Sequence, residues 1–182
     1  DDVEKPDVLT FDLDPDPEVG YAQVVEGAFE LRDRFADMGL ESFVKTSGGK
    51  GLHVVVPISR RSTWDEAKEF AKAVARTMSK DAPDKYLANM SKKKRKGKIF
   101  VDYLRNGRGA TSVAAYSTRA KPHAPVSTPI AWDELSPSLK PDAYGVRNLR
   151  QRLSQLKTDP WADYFQVRQS ITKKALRAVG LA

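Results

Sequence analysis

Residues 8–14, Val-Leu-Thr-Phe-Asp-Leu-Asp, close on two carboxylates set two positions apart. Side chains alternate faces along a strand, so Thr10, Asp12 and Asp14 share one side while Leu9, Phe11 and Leu13 share the other. The apolar side can enter a core. Pro15 and Pro17 follow directly, and proline donates nothing to a β-ladder, so the strand is expected to stop with both acids at its mouth. Oxygen ligands in that position suit a hard cation such as Mg2+ or Mn2+. The same Asp-Leu-Asp-Pro-Asp string also fits a solvated, proline-rich turn.

Downstream, Ser47-Gly48-Gly49-Lys50-Gly51-Leu52-His53 places three glycines within four positions. Glycine permits positive φ, and such a loop can turn its amides toward one point and hold an anion. Ser47 and His53 add donors at its ends and Lys50 adds a charge. The spacing is not that of the nucleotide-binding P-loop, and a glycine-rich hairpin without a ligand reads equally well. A third feature is Asp102 in Val101-Asp102-Tyr103-Leu104-Arg105-Asn106, an acid in a β-prone run. Burial of such an acid is costly unless it is paired or bound to metal. Arg105, Arg108, Arg119 and Lys121 follow it, and guanidinium groups beside an acid suit phosphate recognition.

Taken together, three acids for one or two metals, a glycine loop with a histidine, and arginines for developing charge are the parts of a phosphoryl or nucleotidyl transfer site. Such chemistry depends mainly on positioning and charge neutralisation.

These side chains need a scaffold. Between Glu18 and Met38 apolar residues recur at helical spacing (Val24, Val25, Ala28, Leu31, Phe35, Met38) and Gly39 supplies a stop. Residues 42–46 and 52–57 read as strands around the glycine turn. Thr63 and Glu66 form a capping box for a helix whose stripe is Trp64, Ala67, Phe70, Ala71, Val74, Ala75 and Met78. Residues 92–98 are a like-charged block expected to be mobile without a partner. Residues 99–104 read as a strand, 105–128 as strand fragments and loops, 132–135 as a short turn or helix, and 147–156 and 170–179 as helices. The expected fold is α+β: a mixed or mostly antiparallel sheet with helices packed on one face and the acids and glycine loop on the other.

The chain has 182 residues, enough for one domain with a real core. It has no cysteine and only two histidines, which excludes disulfides and thiolate metal sites and leaves carboxylates to hold any metal. Residues 1–42 carry 13 Asp and Glu against 3 Lys and Arg, and the remainder carries 11 against 28. An acidic opening joined to a basic remainder suits a polyphosphate or nucleic-acid partner. No apolar run has membrane-spanning length and no signal-peptide pattern opens the chain, so a cytoplasmic protein with no membrane partner is expected.

The succession FDLDP, SGGKGLH, VDYLRN, RGAT-VAAYS-RA and APVSTPIAWDEL resembles the polymerase domain of bacterial ATP-dependent DNA ligase D, in the archaeo-eukaryotic primase superfamily, nearly from end to end. The resemblance implies a primase-like catalytic core, within a ligase D or as a stand-alone polymerase of the same kind. It implies a nucleotidyltransferase that extends a primer-template or broken DNA end from a nucleoside triphosphate, often with ribonucleotides and manganese, during non-homologous end joining with Ku and a ligase domain. A nucleoid-associated location follows from the same likeness. By the same resemblance, Asp12 and Asp14 match the first metal-binding pair and Asp102 the third acid. Ser47 and His53 match the residues holding the triphosphate, Arg105 and Arg119 match arginines near the nucleotide, and Gly49 and Lys50 lie on the phosphate loop. Domains of this family carry a sizeable portion ahead of the FDLDP strand, which residues 1–182 are expected to lack. Two rival readings are a haloacid-dehalogenase-like phosphohydrolase, which also opens on a strand ending in DxD, and a non-catalytic nucleic-acid binding module.

Overall fold

The computed structural model describes residues 2–182, apart from the Lys92 side chain. Six strands form one sheet: β1 (Val8–Pro15), β2 (Phe43–Thr46), β3 (Leu52–Pro57), β4 (Tyr86–Leu87), β5 (Ile99–Asp102) and β6 (Pro129–Ile130). Their order is β4-β5-β1-β3-β2-β6, and every pairing is antiparallel except that of β4 with β5. The fold is thus α+β with a mixed sheet, and β1 lies inside it with a neighbour on each edge.

Leu9, Phe11 and Leu13 are fully buried, as their alternation in β1 requires. Two long helices, α1 (Tyr21–Met38) and α2 (Trp64–Asp81), cover that face. The α1 stripe is buried as its spacing predicts, and Phe35 meets Phe11 with ring centroids 5.1 Å apart. Gly39 ends α1 in the left-handed region at φ 77°, and the Leu40 N–H reaches back to the Phe35 carbonyl at 2.8 Å. The Thr63 hydroxyl accepts the Glu66 N–H at 3.2 Å while the Glu66 carboxylate accepts the Thr63 N–H at 2.8 Å, so the predicted capping box starts α2.

Two short helices, α3 (Leu149–Gln155) and α4 (Lys173–Ala178), lie within the predicted C-terminal spans. Three points differ from the sequence expectation. The strand expected over 99–104 stops at Asp102 and gives way to a 3-10 turn, Leu104–Asn106, which a buried Asn106 holds. Strands β4 and β6 have two residues each, too short to show a period. The basic block is not uniform either: Lys92–Lys94 form a 3-10 turn, and Arg95 folds inward to pair with Asp14 and lie over the Phe100 ring, 4.7 Å from its centroid.

Candidate active site

The register of the sheet lines up one row of ionisable residues across four strands. Asp102 on β5 stands opposite Asp12 on β1, Asp12 opposite His53 on β3, and His53 opposite Lys45 on β2. Directly opposed residues in antiparallel strands point to the same face. Two acids and two bases therefore stand side by side on the face away from α1 and α2. Asp14, two residues on along β1, faces the same way and opposes Phe100.

Each acid has a basic side chain beside it. His53 Nε2 lies 3.4 Å from Asp12 Oδ2, Arg105 Nη2 lies 3.2 Å from Asp102 Oδ2, and the Arg95 guanidinium pairs with Asp14. Burial pushes the Asp12 carboxyl up, but the His53 hydrogen bond and the charges of His53, Arg105 and Lys45 outweigh it and leave the group below its ordinary value. Asp102 moves the other way. Its burial dominates, the Leu104 N–H and Arg105 oppose it, and the charges of Asp12 and Asp14 add to the rise. Asp102 thus feels both other carboxylates.

An all-oxygen set under mutual repulsion fits a hard divalent cation. Among the described residues, however, no three His, Asp or Glu side chains already converge into a ligand group. His53, Arg95 and Arg105 hold the three acids instead.

The glycine loop lies at the end of β1. An added Cβ at Gly51 would sit 1.9 Å from the Leu13 carbonyl oxygen, so only glycine allows the loop this close to the strand. Gly48 has φ +64°, and a Cβ there would meet Arg119 Cγ at 2.9 Å. The loop differs from an open nest of amides. The Ser47 N–H donates to the Gly51 carbonyl at 3.3 Å, the Gly48 N–H to the Pro141 carbonyl at 3.1 Å, and the Gly49 N–H to Ser47 Oγ at 3.1 Å. What the loop presents is side-chain charge: Lys50 is exposed, and Lys121 Nζ lies 3.0 Å from where a Gly49 Cβ would be. Arg119 donates to the Ser47 carbonyl at 3.0 Å and so fastens its own strand fragment to the loop.

A polar cleft of about 390 Å³ is lined by Asp12, His53, Arg105, Thr111, Ser112, Val113 and Arg119. Four residues singled out from the sequence, Asp12, His53, Arg105 and Arg119, thus meet in one cavity. A larger apolar cleft of about 580 Å³ adjoins it through Ser112 and Val113 and is lined by Tyr116, Trp161, Tyr164 and Phe165 among others. Arg108 is not part of this constellation, because its guanidinium pairs with Glu4 at 2.7 Å on the exposed surface.

Two residues of the site carry no signal in the sequence. Lys45 is 3% exposed, and its ammonium points along the sheet face at His53. Asn106 is 2% exposed and fastens the turn after β5 to β1. A lysine in a four-residue strand and an asparagine after a turn are ordinary residues in a sequence; only the register and the turn geometry give them their places.

An α+β sheet with acids at the end of an inner strand, a glycine loop beside them and helices on the far face is a primase-like core. The sequence matches the family described as "LigD, primase-polymerase domain" over residues 1–161, and the chain belongs to that family. It is 44% identical over 179 residues to the multifunctional non-homologous end joining protein LigD of Pseudomonas aeruginosa, covering 98% of this chain and 21% of that protein. It is 40% identical over 137 residues to the corresponding protein of Mycobacterium tuberculosis strain H37Rv, covering 75% of this chain and 18% of that one. The chain therefore spans about a fifth of the length of these curated relatives. The structure resembles the polymerase domain of Mycobacterium tuberculosis ligase D in complex with DNA, with a TM-score of 0.80 and 35% identity, over 86% of this chain and 54% of that one. The phosphohydrolase reading is not favoured, because the family the chain belongs to is a primase-polymerase family. Among the described residues no helix is long and apolar enough to cross a membrane.

Proposed function

We propose that this chain is a nucleotidyltransferase that adds nucleotides, ribonucleotides by preference, to the 3′-hydroxyl of a primer-template or broken DNA end in non-homologous end joining. The observation that carries the reading is the row Asp102, Asp12, His53 and Lys45 across the sheet, of which Asp12 and His53 line a cleft that Arg105 and Arg119 complete.

In this reading the cleft binds the triphosphate. Arg105 and Arg119 neutralise its oxygens, Lys50 and Lys121 draw it to the glycine loop, and His53 donates from Nε2 to a phosphate oxygen. Ser47 holds the loop in shape by accepting the Gly49 N–H. The primer hydroxyl attacks the α-phosphorus, the bond from that phosphorus to the bridging oxygen breaks, and pyrophosphate leaves. Asp12, Asp14 and Asp102 would hold Mn2+ or Mg2+, which when bound supplies acidification of the hydroxyl and neutralisation of charge on the phosphate. For this the acids must exchange Arg95 and Arg105 for the cation. Ku and a ligase domain are the partners expected of a chain with this role, and the basic run over residues 92–98 is the segment proposed to meet template phosphates.

The test is extension of a labelled primer by this chain with each nucleoside triphosphate and Mn2+ or Mg2+. Growth of the primer that Asp12→Asn and Asp102→Asn abolish supports the reading. Nucleic-acid binding unaffected by either substitution, with no extension in the parent, would favour the non-catalytic module.

A further inference from the structure

At its β6 edge the sheet is completed by a side chain. Pro129 stands opposite Lys45 at the end of the β2 to β6 ladder, and proline has no N–H to donate. One residue further along β2, the hydroxyl of Thr46 takes over. Thr46 Oγ1 accepts the Thr128 N–H at 2.9 Å and donates to the Val126 carbonyl at 3.3 Å, while the Thr46 N–H donates to the Thr128 carbonyl at 2.9 Å. The Ser127 hydroxyl adds a bond to the Thr46 carbonyl at 2.8 Å. Thr46, Ser127 and Thr128 are all fully buried, so bulk water cannot replace a bond lost there.

The segment clasped in this way is one arm of the hairpin that carries Arg119. Ser127 exchanges backbone bonds with the other arm: the Tyr116 N–H donates to its carbonyl at 2.6 Å, and its own N–H donates to the Ser117 carbonyl at 2.9 Å. Thr118 bridges to Val126, and the Arg119 N–H donates to the Pro125 carbonyl at 2.7 Å. The Arg119 side chain then returns to the residue after Thr46, where Nη1 donates to the Ser47 carbonyl at 3.0 Å. A closed circuit therefore runs from Thr46 through residues 126–128 to Arg119 and back to Ser47. Arg119 lines the polar cleft and Ser47 opens the glycine loop, so the Thr46 hydroxyl sets one against the other.

We infer that Thr46 is a positioning residue whose hydroxyl holds the hairpin in register and so places Arg119 in the polar cleft beside the glycine loop. This rests on the reading of the cleft as a triphosphate site, where a guanidinium binds phosphate strongly only in a fixed geometry. Valine has nearly the shape of threonine but would make neither side-chain bond.

The test is calorimetric titration of ATP with Mn2+ into the parent, Thr46→Ser, Thr46→Cys, Thr46→Val, Arg119→Ala and the double variant Thr46→Val with Arg119→Ala. Serine keeps the hydroxyl, cysteine offers a weaker donor and acceptor, and valine offers neither. Affinity should stay near the parent's in Thr46→Ser, fall about tenfold in Thr46→Val and lie between them in Thr46→Cys. The double variant should lose no more than Arg119→Ala alone, because the threonine acts through the arginine. Thr128→Val is the control: it removes an equally buried hydroxyl whose bond, to the Val126 carbonyl at 3.0 Å, stays within its own segment, and it should keep the parent's affinity. Parent affinity in Thr46→Val, losses that multiply in the double variant, or an equal loss in Thr128→Val would overturn the inference. If Thr46→Val does not fold, Thr46→Cys carries the same comparisons. A folded parent that binds no ATP would instead overturn the triphosphate reading. Amide hydrogen exchange at Arg119 then decides the inference: faster exchange in Thr46→Cys than in the parent and Thr46→Ser supports the clasp, and equal rates contradict it.

Discussion

Asn106 pairs with Thr10 as a strand residue would: its Oδ1 accepts the Thr10 N–H at 2.7 Å and its Nδ2 donates to the Thr10 carbonyl at 2.9 Å. The β1 to β5 ladder ends at Asp12 opposite Asp102, and this side-chain amide continues it for one more step along β1. A further bond from Nδ2 to the Tyr103 carbonyl at 2.8 Å ties the turn that carries Arg105. Asn106→Ala leaves a buried N–H and a buried carbonyl unpaired and should cost about 2–4 kcal/mol in chemical denaturation. Nucleotide affinity should fall with it, because Asp102 leads into the same turn and Arg105 lies in it; unchanged stability would show that Thr10 finds other partners.

Gly51→Ala tests the approach of the glycine loop to β1. The new Cβ would overlap the Leu13 carbonyl, and backbone cannot yield as a side chain can. The expected cost is about 1–3 kcal/mol, with weakened triphosphate binding as the loop moves off the strand end. Gly180→Ala is the control: it sits at φ +74° with open space around it, and should cost about 1 kcal/mol without touching nucleotide binding.

Arg95 competes with any cation that Asp14 would hold. Its guanidinium pairs with that carboxylate and is braced by the Phe100 ring. Arg95→Ala should therefore raise Mn2+ affinity several-fold, from release of about 1 kcal/mol of pairing, measured by direct metal titration without nucleotide. Weaker Mn2+ binding in this variant would mean that Arg95 helps to build the site.

Stability should depend on pH through Lys45. Burial, with some repulsion from Arg119 and despite the attraction of Asp12, depresses its amine from the ordinary 10.5 to about 7. His53 is the ionisable group in direct contact with it. A base with a depressed folded value binds fewer protons folded than unfolded between those limits, so stability rises with pH from about 7 toward 10.5, and the penalty is complete below about 7. Urea midpoints at pH 7, 8 and 9 should climb in the parent, with the Lys45 share of that slope absent in Lys45→Met. Equal slopes in the two proteins would contradict the assignment.

Much of this molecule is legible in its sequence because short-range rules govern it. The alternation of Leu9, Phe11 and Leu13 with Thr10, Asp12 and Asp14 sets which face of β1 is buried, and the Val24 to Met38 and Ala67 to Met78 stripes set which helix faces cover it. The acids, His53, Arg105 and Arg119 are conspicuous because their residue types are costly or strongly charged where they stand. Strand register and side-chain contacts made through it are what the sequence does not display. Nothing near Lys45 announces that it will face His53 across two strands, and nothing near Asn106 announces a bond to Thr10, 96 positions away. Arg95 lies in a run whose uniform charge suggests a solvated segment, and only the tertiary position of Asp14 and Phe100 singles it out.

The most direct measurement is calorimetric titration of a nucleoside triphosphate into this chain with Mn2+, repeated for Asp12→Ala, Asp102→Ala and Arg119→Ala. The account predicts metal-dependent binding in the parent and its loss in both aspartate variants, with Arg119→Ala weakened by at least about tenfold. Triphosphate binding that persists undiminished in folded Asp12→Ala and Asp102→Ala proteins, or that needs no divalent cation, would contradict it.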